Sequence, residues 1–412
     1  MKQERYSAET IVHENSIVKL KFTAKWHDEN GQHTAIQYIE KFNVWRDIDL
    51  LPKILTDSIL HMPVGEGDFN EIKPEYIDSG WNANLQKTIS LNNFKGYLSN
   101  GESVVPRTGR YYPKGWFSGV DGFFSDNMFP ARAVKVDSEN IVVDYNHPLA
   151  SFEIKIKVDI LDIFPPTDEH GGRCSDAIDL LLNNGPGMQL FNQQGSTDFI
   201  TNESLERIDN DDDKFFYNKL RNVHHLDAYA RDAVSKLYED LINPGSRVLD
   251  LMASWESHMP DNLPNTILSG LGMNSEELRL NPLLNDYLVQ DLNKEPVLTY
   301  KSDSYDAVIC TASVEYLTDP LKIFSQVKRV LKPGGVFIVT FSNRWFPTKA
   351  VSIWSELHEF ERVGLVMEYF KQSTWQGQIN SMSSKGLHRP EDDPHYDKTK
   401  ISDPVYAVWC VK

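Results

Sequence analysis

The chain has 412 residues, enough for two or three domains, and its 40% hydrophobic content is ample for packed cores. Its 42 basic against 59 acidic residues leave a net charge of −17, which disfavours nonspecific nucleic-acid or anionic-membrane binding and favours a protein, peptide or small-molecule partner. With no run of about 18 apolar residues, a polar stretch over 1–10 and three scattered cysteines (Cys174, Cys310, Cys410), we expect a cytoplasmic protein without membrane span, secretory signal, disulfide framework or cysteine metal site.

Residues 16–26 alternate apolar and polar side chains, and Asp28 to Gly31 turns the chain, which predicts a strand and hairpin opening an all-β or α+β unit. Ile48, Leu51, Leu55 and Ile59 recur at helical spacing and predict a short helix that stops before Pro63. Further on, 140–150 and the alternating run 152–160 read as returning strands. Between them lies an aromatic-rich stretch holding Trp81, Tyr97, Trp116, Phe123, Phe124 and Phe129, which suits either a small core or an exposed binding face. Phe164, Pro165 and Pro166 close this first unit. The next stretch, 166–214, reads as a linker, punctuated by Gly171 and Gly172 and by turns at 183–187 and 193–196, with one short helical segment at 177–182 and an acidic cluster from Asp209 to Asp213.

From Phe215 the pattern changes. Leu226, Ala230, Ala233, Leu237 and Leu241 form one face of an amphipathic helix, preceded by the cluster His224, His225 and Asp227, for which capping hydrogen bonds are preferred over a metal. Four short apolar strands follow at 247–251, 266–271, 305–310 and 336–341, with a lesser one at 287–290. Asp319 and Pro320 start a helix carrying Leu321, Phe324, Val327 and Leu331, and Lys332 to Gly335 is expected to stop it. Arg344, Trp345, Phe346 and Lys349 crowd the turn after the last of these strands. A helix is predicted through Val351, Trp354, Leu357 and Phe360, and a final strand over 403–411. The result is a doubly wound α/β sheet, whose ligands sit beyond the carboxyl ends of its strands.

Two resemblances emerge from these residues. Val248-Leu249-Asp250-Leu251, Gln290-Asp291-Leu292, Tyr305-Asp306-Ala307-Val308, Ser313 to Leu317 and Leu331 to Val336 together resemble the class I S-adenosylmethionine-dependent methyltransferases, with a Rossmann-like sheet over about 215–412. The resemblance implies S-adenosylmethionine as cofactor, bound by Asp250, Leu251, Met252, Ser254, Asn274, Asp291 and Ser313, with Asn274 or Glu276 replacing the family's ribose acid, whose aligned position is Gly272. It further implies chemistry by Glu315, His225 or Arg344, and a pocket neighbour in Asn343. The family's glycine-rich loop is replaced by Met252, Ser254 and Glu256, which leaves open a degenerate, non-catalytic scaffold.

The first unit, 1–165, resembles the SlyD-like FKBP-type prolyl isomerases through Val143-Asp144, Asn146-His147-Pro148-Leu149-Ala150, Met62 to Glu66 and Tyr112-Pro113-Lys114. That implies an FKBP-like β domain with an insert-in-flap segment at about 67–135, a peptide pocket walled by Phe22, Phe42, Leu55, His147, Leu149 and Ile156, and isomerase or chaperone-like binding. The expected whole is a methyltransferase fused to a prolyl-isomerase-like domain, acting on a protein or peptide acceptor. The alternative is a peptide-binding protein with a methyltransferase scaffold.

Overall fold

The structure is a computed structural model that describes residues 11–29, 31–73, 80–97, 101, 103–119, 124–166, 171–182, 197–201 and 203–412. Phe123 and the predicted turns at 183–187 and 193–196 lie outside the described residues.

In the second half the strands are β9 (Arg247–Leu251), β10 (Ile267–Gly272), β11 (Asp286–Val289), β12 (Tyr305–Thr311), β13 (Leu331–Phe341), β14 (Ile379–Lys385) and β15 (Val405–Val411). Their order is β11-β10-β9-β12-β13-β15-β14. The first five are parallel, whereas β15 runs antiparallel to β13, as the closing run predicted. β9 is buried from Val248 to Leu251 and β12 at Tyr305 and from Ala307 to Cys310, as the central strands of the sheet. The helix Pro320–Val330 begins as its sequence dictates, with the Asp319 carboxylate accepting from the Lys322 N–H at 3.2 Å and Pro320 in the first turn. The single helix expected through Phe360 is two, Ser352–Glu356 and Glu359–Gln372, because Leu357 and His358 adopt extended backbone between them.

The first half contributes β1 (Ile17–His27), β2 (Gln32–Asn43), β3 (Asn70–Ile72), β4 (Gln86–Ser90), β5 (Tyr111–Pro113), β6 (Pro130–Val136), β7 (Asn140–Asp144) and β8 (Ile154–Phe164). The helix predicted over 48–60 is broken at Pro52 into Ile48–Leu50 and Lys53–Asp57, and a further helical turn, Val44–Asp47, precedes it. β4, β7, β6 and β5 form a separate small sheet with its own core of Phe94, Tyr112, Phe117, Ile141 and Tyr145.

The two halves are joined more firmly than a linker would join them. β14 pairs with β15 on one side and, in parallel, with β2 on the other, from Ser381 against His33 to Lys385 against Gln37. One 11-stranded sheet therefore runs through both halves. At the seam the buried His33 ring bonds Ser381 Oγ at 2.8 Å and Asp28 Oδ1 at 3.1 Å. Gly31 is required there, since a Cβ would come within 2.3 Å of the Ile379 carbonyl oxygen. A second clamp is buried between the small sheet and the helix Glu359–Gln372: Arg110 Nε donates to Glu361 Oε1 at 2.8 Å, and the same oxygen accepts from the Tyr111 N–H at 2.9 Å. The connector is packed as well. Its helix Ala177–Leu182 buries Ile178 and Leu181, and Arg207 and Val351 form a backbone bridge.

Candidate active site

A cavity opens at the carboxyl ends of β9 to β12, where a doubly wound sheet leaves room between its crossovers. Asp250 ends β9, Leu271 and Gly272 end β10, Gln290 to Asn293 follow β11, and Thr311 to Ser313 end β12. Tyr217, Arg221, His225 and Phe346 cover it. Of the residues predicted to hold a cofactor, Asp250, Met252, Ser254, Asn274, Asp291 and Ser313 all line this cavity, and so does His225. Leu251 does not. It points into the core with no exposed surface.

The backbone around the cavity is strained. Met252, His258 and Ala312 all line it and hold φ of 61°, 52° and 46°, the left-handed region that glycine occupies without penalty. Of the three positions that stand where the family has glycines, Met252 alone holds this conformation; Ser254 and Glu256 do not. At Gly272 the reverse holds: a Cβ would sit 2.2 Å from the Ala253 carbonyl oxygen, so no acid fits at that position.

Glu277 supplies a carboxylate that sequence reasoning missed. It lies in the first turn of the helix Ser275–Leu280, capped by Asn274, and its two oxygens accept from Ser254 Oγ and the Arg221 N–H, each at 2.8 Å. The Asn274-x-x-Glu277 spacing of a capping box was the available signal, because it turns the third helical residue back toward the helix start. Glu276, the residue proposed instead, is exposed.

The charges divide into three environments. Asp250 is 3% exposed, and burial pushes its carboxyl up to about 7 against a bond from Ser257; its Oδ2 has no hydrogen-bond partner. Glu256 feels the same upward push from burial, but bonds from His258 and His224 hold it down to about 2. Burial also lowers the His225 pKa, so that imidazole is neutral at pH 7, and its ring packs edge-on against Phe346 with centroids 5.5 Å apart.

An outer cleft of about 740 Å³ adjoins the cavity and shares Arg221, His225, Ala312, Tyr316 and Phe346 with it. Arg344 stands here, bonded to Asp403 Oδ2 at 3.1 Å and to the His395 ring at 2.9 Å, and so does not line the cofactor cavity. Glu315 is displaced from both. It is 1% exposed and enclosed behind Tyr316, and burial lifts its carboxyl to about 8. Asn343 is exposed. Asp227 is spent on structure, capping the helix Ala228–Leu241 and accepting from Ser402 Oγ at 2.6 Å and the Asp403 N–H at 2.7 Å.

Of the six side chains expected to wall a peptide pocket, Phe22, Phe42, Leu55, Leu149 and Ile156 are wholly buried in the core, because each faces the covered side of its strand, helix or loop. His147 alone of the six is partly exposed, and its Nδ1 accepts from the Leu149 N–H at 3.1 Å.

A parallel sheet with one reversed strand and a cavity at its carboxyl edge defines a doubly wound nucleotide-binding type of protein. Residues 270–339 match the family model described as a methyltransferase domain, so the second half of the chain carries such a domain. The first half is similar to a short-type peptidyl-prolyl cis-trans isomerase of Methanocaldococcus jannaschii, at 28% identity over 112 residues, 26% of this chain and 68% of that one. Among solved structures, a SAM-dependent methyltransferase from Aquifex aeolicus covers 45% of this chain and 90% of its own at 15% identity and a TM-score of 0.31. An arsenic(III) S-adenosylmethionine methyltransferase from Chlamydomonas reinhardtii covers 45% and 72% at 16% identity and a TM-score of 0.30.

Proposed function

We propose that the chain is an S-adenosylmethionine-dependent methyltransferase acting on a protein or peptide acceptor, with the first half as a rigid binding platform. The observation that carries this reading is the Asp250 carboxylate, buried in the cavity with Oδ2 unpartnered. A buried carboxylate is stabilised by an adjacent cation, and the amino group of the cofactor's methionine moiety supplies one. Asp291 lines the cavity just beyond the end of β11, where the adenine is expected. When bound, S-adenosylmethionine brings a sulfonium methyl open to in-line displacement.

The protein's part is alignment, helped by a base where the nucleophile is poorly acidic. His225 fits that role, since it faces both the cofactor cavity and the outer cleft and is kept neutral. A ring nitrogen on it accepts the acceptor's proton while Phe346 fixes the ring plane. Glu315 and Arg344 are left with structural roles, the latter organising Asp403 and His395. Isomerase catalysis is not part of this reading, because five of the six side chains expected to form that pocket are buried.

One observation favours the scaffold alternative. The cavity measures about 140 Å³. That is the size of a void that takes a single benzene ring, roughly 150 Å³. A nucleoside joined to an amino acid is larger than that, so it enters only by extending into the adjoining cleft or by displacing residues that cover the cavity. Calorimetric titration of the full chain with S-adenosylhomocysteine decides between the two. Micromolar binding supports the enzyme, and no heat at millimolar ligand leaves the scaffold.

A further inference from the structure

We propose that the cleft between the small sheet and the methyltransferase half is the docking groove for a basic, apolar-studded segment of the acceptor; this rests on the protein-acceptor reading above. The cleft, of about 1080 Å³, is bounded by the small sheet, by 199–208 of the connector and by the helix Ser352–Glu356 with its flanks. It therefore exists only because the halves are fused.

Its apolar wall is open to water. Val105, Met128 and Ile208 are 75%, 71% and 78% exposed. Trp116 lies behind them, stacked on Tyr112 at 6.1 Å. Each apolar side chain left in water is a source of binding energy once covered.

Its charge is one-sided. Every arginine lining the cleft is already paired: Arg107 with Asp198 at 2.5 Å, Arg110 with Glu361 at 2.8 Å and Arg207 with Asp213 at 2.8 Å. Glu203, Glu206 and Glu356 line the same cleft, are exposed, and have no ion-pair partner among the described residues. His358, also in the cleft, is exposed at its surface, and partial desolvation of its ring lowers its pKa below the ordinary histidine value, so at pH 7 it offsets none of them. The uncompensated potential is negative, which selects a cationic partner and speeds its arrival. An acidic or neutral segment gains nothing from these carboxylates. The groove also backs onto the cofactor cavity, since Asp213 holds Arg207 on one side and lines the cavity on the other.

The test uses the full chain and a fluorescein-labelled 14-residue peptide alternating Lys or Arg with Leu and Trp, followed by fluorescence anisotropy. Two control peptides replace the basic residues by Glu, or the apolar ones by Ser. The variant is Glu203→Lys/Glu206→Lys/Glu356→Lys, all on exposed positions, with Ile208→Ser as a second. We expect saturable binding of the basic apolar peptide, at least tenfold weaker in the triple variant, several-fold weaker in Ile208→Ser, and weakened by raising salt from 50 to 300 mM. Equal binding to the wild type and triple variant, equal binding of the Ser control, or tighter binding of the Glu control overturns the proposal. S-adenosylhomocysteine titration of the triple variant is read alongside. Unchanged cofactor binding with lost peptide binding locates the effect in the groove. Absent cofactor binding in wild type with peptide binding intact overturns the methyltransferase reading and leaves the groove standing.

Discussion

Replacing Asp250 by Asn separates the enzyme from the scaffold in a single experiment. Burial lifts this carboxyl from 3.8 to about 7, and the group is 3% exposed, so little solvent screening applies. A folded-state pKa raised above the unfolded value means that the folded protein holds the proton more tightly. That contribution is fully present below pH 4 and is lost as pH rises through 7. At about 1.4 kcal/mol per unit, the three-unit shift corresponds to roughly 4 kcal/mol in total, of which about 2–3 kcal/mol falls between pH 5 and pH 8. Asparagine is nearly isosteric and does not ionise. The stability difference between Asp250→Asn and wild type therefore moves in the variant's favour by about 2–3 kcal/mol from pH 5 to pH 8, whatever its offset from the new amide. Ligand reverses the sign. An ammonium beside Asp250 restores the ionised form, so S-adenosylhomocysteine binds wild type more tightly as pH rises toward 8, and loss of a charge-assisted bond of about 1.5–3 kcal/mol weakens the variant ten- to a hundredfold. Urea unfolding at both pH values, with calorimetry at pH 8, measures both effects. Parallel pH–stability curves, or equal ligand affinity, refute the assignment of Asp250 as a buried, ligand-facing carboxylate.

Three further outcomes follow from the same geometry. His225→Gln is expected to lower kcat by 10²–10⁴ for a poorly acidic acceptor while leaving S-adenosylhomocysteine affinity within a few-fold, and to remove the acidic limb of the rate profile, which lies below the ordinary histidine pKa because burial lowers it; an unchanged pH profile excludes His225 as the base. Glu315→Gln should leave ligand binding unchanged and gain stability relative to wild type as pH rises from about 5 to about 8, where the contribution of the buried, protonated Glu315 carboxyl is lost, with little further change above that, a difference read by thermal unfolding at pH 6 and pH 9. Glu361→Ala strands the Arg110 guanidinium, buried at 5% exposure, and should cost about 3–5 kcal/mol in urea unfolding, against little for a substitution of exposed Glu356.

The sheet of the second half was legible because its strands announce themselves. Runs such as 247–251 and 305–310 are short and rich in Val, Leu and Ile, interrupted only by single charged residues, which suits a strand covered on both faces. The positions of Asp250, Asp291 and Ser313 come from the resemblance to the methyltransferases, whose motifs fall at or just beyond these strand ends. β14 was not legible. Ile379–Lys385 reads Ile-Asn-Ser-Met-Ser-Ser-Lys, with no apolar alternation, because its inward positions are serines: Ser381 and Ser383 are buried without being hydrophobic. Glu277 was missed by one residue for a related reason, since helix phase after a loop is set by the cap and not by hydrophobic pattern. The five buried residues of the expected peptide pocket are ambiguous in the opposite way. Aromatic and aliphatic residues on alternating strands satisfy a pocket and a core equally well, and only exposure tells them apart.

What the unseen β14 does changes how the two chemistries relate. A flexible connector of about 50 residues would raise the local concentration of a captured acceptor while leaving its approach to the methyl donor unguided. Here β2 and β14 share hydrogen bonds, His33 closes a buried network across them, and Arg110 and Glu361 clamp the small sheet to the helix behind the catalytic half. The distance from any platform on the first half to the cavity is then fixed by the sheet. A segment held by such a platform presents its methyl-accepting group at one spacing along the chain and not over a range. Rigid placement removes orientational freedom before the reaction instead of during it, which is the larger contribution that a protein can make to an in-line displacement needing little other help. Under the proposed protein-acceptor reading, the fusion serves selectivity by position: residues of the acceptor at the wrong distance from the held segment are excluded by geometry, without any pocket that reads their side chains.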